Sequence, residues 1–96
     1  MSARRFRVSG RVQGVGFRAF VVARARALAL DGWVRNEPDG AVTVLAAGPP
    51  AALDRLAAEL AQGPPAARVA AVEPAPAEAP EATGFRIARG EGPWTT

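Results

Sequence analysis

The residues of this chain that can do chemistry gather in one short run, Gly10-Arg11-Val12-Gln13-Gly14-Val15-Gly16-Phe17-Arg18. A glycine-rich loop closed by an arginine is, physically, an anion cradle. Glycines let successive backbone N–H groups turn inward as a nest. A helix starting directly after it adds free N–H groups and the positive end of its dipole. Arg18, in that first turn, can set a planar fork on two phosphate oxygens. The same residues also fit a blander structure, a tight turn with Arg18 solvated on the helix surface, and the loop alone does not choose between them. A second run, Gly32-Trp33-Val34-Arg35-Asn36-Glu37-Pro38-Asp39-Gly40-Ala41-Val42, holds the only Asn of the chain. Asn36 suits a turn, yet Pro38-Asp39-Gly40 already supplies one, because Pro presets φ and Gly accepts a positive φ. Beside a bound phosphate, the Asn36 amide can both donate to and accept from a water. Arg35 and Glu37 are expected on the opposite face, solvated, and Trp33 reads as core or sheet cover.

The missing residue types limit the chemistry as firmly as the present ones. There is no Cys, His, Lys or Tyr, and all 12 basic residues are Arg. Thiolate, Ser-His and Lys Schiff-base catalysis are therefore excluded, as is a zinc site of the Cys/His type. The carboxylates are scattered, so neither a metal nor a cofactor is expected. Any mechanism must run on Arg, carboxylates, amides, hydroxyls and backbone. A net charge of +3 is mild and reads as a preference for anions, not as a nucleic-acid footprint. The longest unbroken apolar run, Ala19 to Ala23, is far too short to span a membrane. Arg4, Arg5 and Arg7 are followed by no apolar signal-peptide core, so the expected compartment is the cytoplasm.

These residues need elements to hold them. Ninety-six residues predict one domain, 1–96, with a core over about 4–89 and a loose tail over 90–96. Phe6 and Val8, alternating with Arg7 and Ser9, predict a strand over about 4–11. A helix follows over 17–30, with Phe17, Phe20, Val21, Ala25 and Leu28 on one face and Gly32 as its left-handed stop. Residues 33–47 read as a hairpin. Gly48-Pro49-Pro50 opens a second helix with a Leu53, Leu56, Ala57, Leu60 stripe, which Gly63-Pro64-Pro65 ends. A weak strand over 69–73, a loop over 74–83 and a last short strand holding Phe85 and Ile87 complete the chain. The order predicts an α+β, ferredoxin-like two-layer sandwich, β-α-β-β-α-β plus a short fifth strand, with a mixed, mostly antiparallel sheet.

Two overlapping patterns are set aside. Gly14 to Ala19 satisfies the dinucleotide fingerprint, but the second strand turns straight into a hairpin, where a Rossmann half needs another crossover helix. Gln13 to Phe20 resembles an RNA-recognition octamer, which belongs on a central strand, not at a helix start. Val42 and Val44 also offer bases no stacking face.

Val8-Ser9-Gly10-Arg11-Val12-Gln13-Gly14-Val15-Gly16-Phe17-Arg18 resembles the first signature of the acylphosphatases. Gly32-Trp33-Val34-Arg35-Asn36, then Gly40-Ala41-Val42 and Gly48, resembles the second, in the right order and spacing. The resemblance covers roughly Arg4 to Arg89. It implies the ferredoxin-like fold and a small, monomeric, cytoplasmic hydrolase. Such an enzyme splits a small-molecule acyl phosphate into a carboxylate and inorganic phosphate, with no metal, nucleic acid or membrane involved. It implies that Arg18 binds the phosphate together with the amides of Gln13, Gly14, Val15, Gly16 and Phe17, and that Asn36 orients the attacking water. The chemistry suits these residues. A carboxylate leaves without a general acid, and phosphoryl transfer through a loose transition state relies on positioning and charge stabilisation. The alternative is a non-catalytic or accessory module that binds phosphate or carbamoyl phosphate, as at the start of larger maturation proteins.

Overall fold

Alternation at Phe6 and Val8 and the i, i+3, i+4 stripes set the strand and helix periods. The structure, a computed structural model, describes residues 2–88. The expected tail, 90–96, and the expected end of the core at Arg89 lie outside the described residues. The elements run β1 (Ser2–Arg11), α1 (Phe17–Ala27), β2 (Asp31–Asn36), β3 (Val42–Gly48), α2 (Pro50–Gln62), β4 (Arg68–Pro76) and β5 (Phe85–Ile87). Their spatial order in the sheet is β4-β1-β3-β2-β5. Neighbours are antiparallel except β2 and β5, which run parallel. This is the expected α+β sandwich with its short fifth strand.

The register aligns one apolar face. Phe6 lies between Val44 and Pro74, and Val8 between Val42 and Val72. Val34 meets Val44, and Asn36 meets Val42. Phe6, Val8, Val34, Val42 and Val44 form one cluster with Phe17, Val21 and Ala25 of α1 and Leu53, Leu56 and Leu60 of α2. Fully burying side chains of this size stabilises by about 1.5–3 kcal/mol each. The cluster fixes both helices on one face of the sheet and brings the start of α1 to the end where β1 and β2 finish.

Three local expectations are corrected. The helix ends at Ala27, not Leu30, and Gly32 is not its stop but part of β2. The left-handed residue is Ala29, with φ 57°. Ala29 N–H donates to the Arg26 carbonyl and Leu30 N–H to the Ala25 carbonyl, both at 3.0 Å, closing a Schellman motif with alanine where glycine is usual. β4 spans Arg68–Pro76 and so takes in 74–76, expected as loop. It is an edge strand paired only with β1, where prolines without an N–H are tolerated. The hairpin strands extend one or two residues further than expected, to Asp31 and Gly48.

Alanine in the left-handed region carries a steric cost of about 1–2 kcal/mol that glycine avoids. Ala29→Gly is therefore expected to raise unfolding free energy by about 1 kcal/mol, after glycine's larger unfolded-state entropy is counted. A urea titration of the two proteins measures it.

Candidate active site

The loop leaves β1 after Arg11 and is anchored at both ends by buried side chains, Val12 and Phe17. Between them Gly14 has φ 74° and Gly16 φ 79°, while Val15 stays out of the left-handed region. Left-handed glycines on either side of Val15 are a backbone pattern from which an anion nest can be built. A Cβ built on either glycine would meet nothing within 4 Å, so the demand is torsional and the loop crest opens outward. Gly16 is the N-cap of α1, with no side-chain cap and no acidic residue in the first turn. The first-turn N–H groups therefore have no partner from a capping side chain. α2 also begins without a side-chain cap, but no glycine nest precedes it and Pro50 has no N–H to offer.

Arg18 sits in this first turn, half-buried. Among the described residues no hydrogen bond or ion pair engages it. Many other arginines are occupied. Arg4 bonds Asp54 and Arg7 bonds Asp39. Arg26 bonds the Phe85 carbonyl and Arg55 bonds Glu59.

Asn36 closes β2 in register with Val42, on the helix-covered side. Its Oδ1 is buried and, among the described residues, has no hydrogen-bond partner. Leaving such an acceptor unsatisfied costs about 1–3 kcal/mol, so the group is poised for an incoming donor. The turn beyond it closes without its help. Glu37 N–H donates to Ala41 O at 2.8 Å, Gly40 N–H to Glu37 O at 3.1 Å, and Ala41 N–H to Asp39 Oδ1 at 3.0 Å. Asn36 is therefore surplus to the turn, in agreement with the reading from the sequence.

The loop and the hairpin meet through a contact that motif spacing did not foretell. Gln13 Nε2 donates to the carbonyls of Glu37 at 2.8 Å and Ala41 at 2.9 Å. Sequence reasoning gave Gln13 only a loop amide. Its side-chain partners lie 24 and 28 residues downstream, beyond any local periodicity.

The acids nearby belong to the hairpin and are paired. Arg35 Nε donates to Glu37 Oε2 at 2.9 Å, and Arg35 stacks 4.7 Å over the Trp33 ring. Trp33 thus covers the sheet as expected, but Arg35 and Glu37 are not simply solvated: their side chains are only 21% and 16% exposed. Burial pushes the Glu37 carboxyl upward, yet bonds from the Arg35 guanidinium and the Thr43 hydroxyl outweigh it, and the net shift is downward. Asp39 is also held below its ordinary value, by the Ala41 N–H first and by Arg7 second. Among the described residues no three acids gather as a metal site.

The chain resembles known acylphosphatases in both sequence and structure. The family model described as Acylphosphatase matches residues 4–87. The acylphosphatase of Rhizobium meliloti (strain 1021) is 54% identical over 87 residues, 88% of this chain and 90% of that protein. The crystal structure of acylphosphatase from Bacillus subtilis matches with a TM-score of 0.86 at 39% identity, covering 92% of this chain and 99% of that one. Full-length HypF, in its phosphate- and nucleotide-bound form, matches with a TM-score of 0.85 at 29% identity, covering 93% of this chain and 12% of that one.

Asp39 and Glu37 hold their protons less tightly in the folded chain than in the unfolded one, which ties stability to pH. The stability they contribute is present above the unfolded carboxylate value, about 4, and is lost as pH falls through their lower folded values. The urea midpoint is expected to drop between about pH 5 and pH 3, and to drop less in Asp39→Asn.

Proposed function

The chain belongs to the acylphosphatase family and is an acylphosphatase; on that premise we propose that Arg18 and the amides of Gln13 to Phe17 hold the phosphoryl group while Asn36 holds the attacking water. The observation that carries this division of labour is the buried Asn36 Oδ1, which has no partner among the described residues, at the sheet end where Arg18, likewise without a partner among them, opens α1.

In this mechanism the acyl phosphate seats its three terminal oxygens on the nest, the α1 N-terminus and the Arg18 fork. Asn36 Oδ1 accepts a hydrogen bond from a water and directs its lone pair at phosphorus, opposite the acyl oxygen. The water oxygen bonds to phosphorus as the bond from phosphorus to the acyl oxygen breaks. The carboxylate departs with the electron pair, and the proton passes from the attacking water to the phosphate product or to solvent. Charge spread over the equatorial oxygens is met by donors already in place, where preorganised electrostatics is most effective. The proposal includes a cytoplasmic, monomeric, single-domain protein that needs neither metal nor nucleic acid. The accessory-module reading is not favoured, since the near-full-length matches are acylphosphatases.

Steady-state hydrolysis of benzoyl phosphate separates the two roles. Arg18→Lys is expected to be nearly as damaging as Arg18→Ala, at a few kcal/mol (~3) of transition-state binding, because a point charge cannot reproduce a planar fork. Both should weaken inhibition by inorganic phosphate. Asn36→Ala should lower kcat by about a hundredfold, roughly 2.7 kcal/mol, and leave phosphate inhibition nearly intact. A phosphate Ki that rises in Asn36→Ala instead would move that residue into the anion site.

Activity is also expected to survive excess EDTA, because the chain has no His or Cys and its carboxylates are dispersed. Loss of activity restored by added Mg²⁺ would replace this mechanism with a metal-assisted one.

A further inference from the structure

We propose that the Gln13 side chain is a positioning residue for this hydrolysis. Its amide clamps the hairpin that carries Asn36 to the loop that carries the phosphate, and so sets where the water stands relative to phosphorus. The inference rests on the roles assigned above to Arg18 and Asn36.

The geometry of one nitrogen is the ground for it. An amide nitrogen has two hydrogens, and both bonds of Gln13 Nε2 go to main-chain carbonyls of the hairpin, Glu37 O and Ala41 O. Those carbonyls sit at the two ends of the turn. Each already accepts one backbone bond, from Gly40 N–H and Glu37 N–H respectively. Gln13 takes the remaining lone pair of each, so the turn is held at both ends at once. The other side of the clamp is equally fixed, because Gln13 follows buried Val12 and precedes the two left-handed glycines. Glu37 follows Asn36 directly, so holding the Glu37 peptide holds the backbone from which the Asn36 side chain projects. Among the described residues no other hydrogen bond joins the loop to the turn. A misplacement of about 1 Å between nucleophile and phosphorus can cost about a hundredfold in rate, so a fixed spacing between these two segments matters to catalysis.

The test is a kinetic cycle with benzoyl phosphate on wild type, Gln13→Met, Asn36→Ala and the double variant, with circular dichroism to verify folding. Methionine keeps the length and removes both donors. Gln13→Met is expected to lower kcat roughly ten- to a hundredfold, with phosphate Ki changed less than about threefold. In the Asn36→Ala background the same change should cost less than about twofold more, since the water it positions is already lost. Losses that multiply in the double variant, a phosphate Ki that rises as far as kcat falls, or an unchanged kcat in Gln13→Met would overturn the proposal.

Should Gln13→Met not fold, Gln13→Glu decides. The ionised carboxylate cannot donate, while the protonated acid can donate to one carbonyl. Its kcat relative to wild type should therefore recover as pH falls toward about 4.5, near an ordinary Glu value, and a flat ratio overturns the proposal. Wild type without benzoyl phosphate hydrolysis, or Asn36→Ala at full activity, would sink the assigned roles and this inference with them. Failure confined to the Gln13 variants sinks the inference alone.

Discussion

The site depends on the register across β1, β3 and β2. Val8 opposes Val42, and Val42 opposes Asn36. Strand side chains alternate with period two, so a slip of one residue between β2 and β3 would turn Asn36 to the open face and send Glu37 toward the helices. The apolar set Phe6, Val34, Val42 and Val44 forbids that slip, since it would move the buried face into water. The packing that stabilises the sheet is thus the same packing that aims the Asn36 amide. It also sets the start of α1 at the sheet end where β1 and β2 finish.

Charge is arranged with equal economy. Twelve arginines outnumber nine side-chain carboxylates, so some arginines must go without a carboxylate of their own. The hairpin acids take Arg7 and Arg35, the α2 acids take Arg4 and Arg55, and Arg18 is one of the arginines without a partner among the described residues. The helix that carries it has no acid in its first turn and no side-chain cap. Either device would have stabilised α1 by roughly 0.5–1 kcal/mol. A carboxylate there would also have competed with a phosphate for the same donors.

The places where sequence reasoning slipped have particular causes. Gly32 drew the helix end to itself because glycine is the usual left-handed residue, yet the Schellman bonds select Ala29 and the glycine belongs to a strand. Pro74 and Pro76 argued for a loop, but an edge strand leaves one side of its backbone unpaired, and position in the sheet is a tertiary fact. Arg35 and Glu37 were assigned correctly to the face opposite Asn36. Their pairing and partial burial depend on Trp33 beside one and Thr43 beside the other. Single-residue preference pointed to a plausible state, and hydrogen bonds and pairing that it does not register set the outcome.

The order of the elements, the helix-facing residues and the family were determined by the sequence alone, and the same local reading singled out the glycine loop, Arg18 and Asn36 as the candidate site. Residue type, short spacing and hydrophobic period are local properties, and they can be read without a fold. The use of the Gln13 side chain was decided only by tertiary structure, as was the lack of a partner, among the described residues, for buried Asn36 Oδ1 and for Arg18. A hydrogen bond to carbonyls 24 and 28 residues away leaves no periodic mark. Whether a polar atom is satisfied depends on every element packed around it, not on its neighbours along the chain.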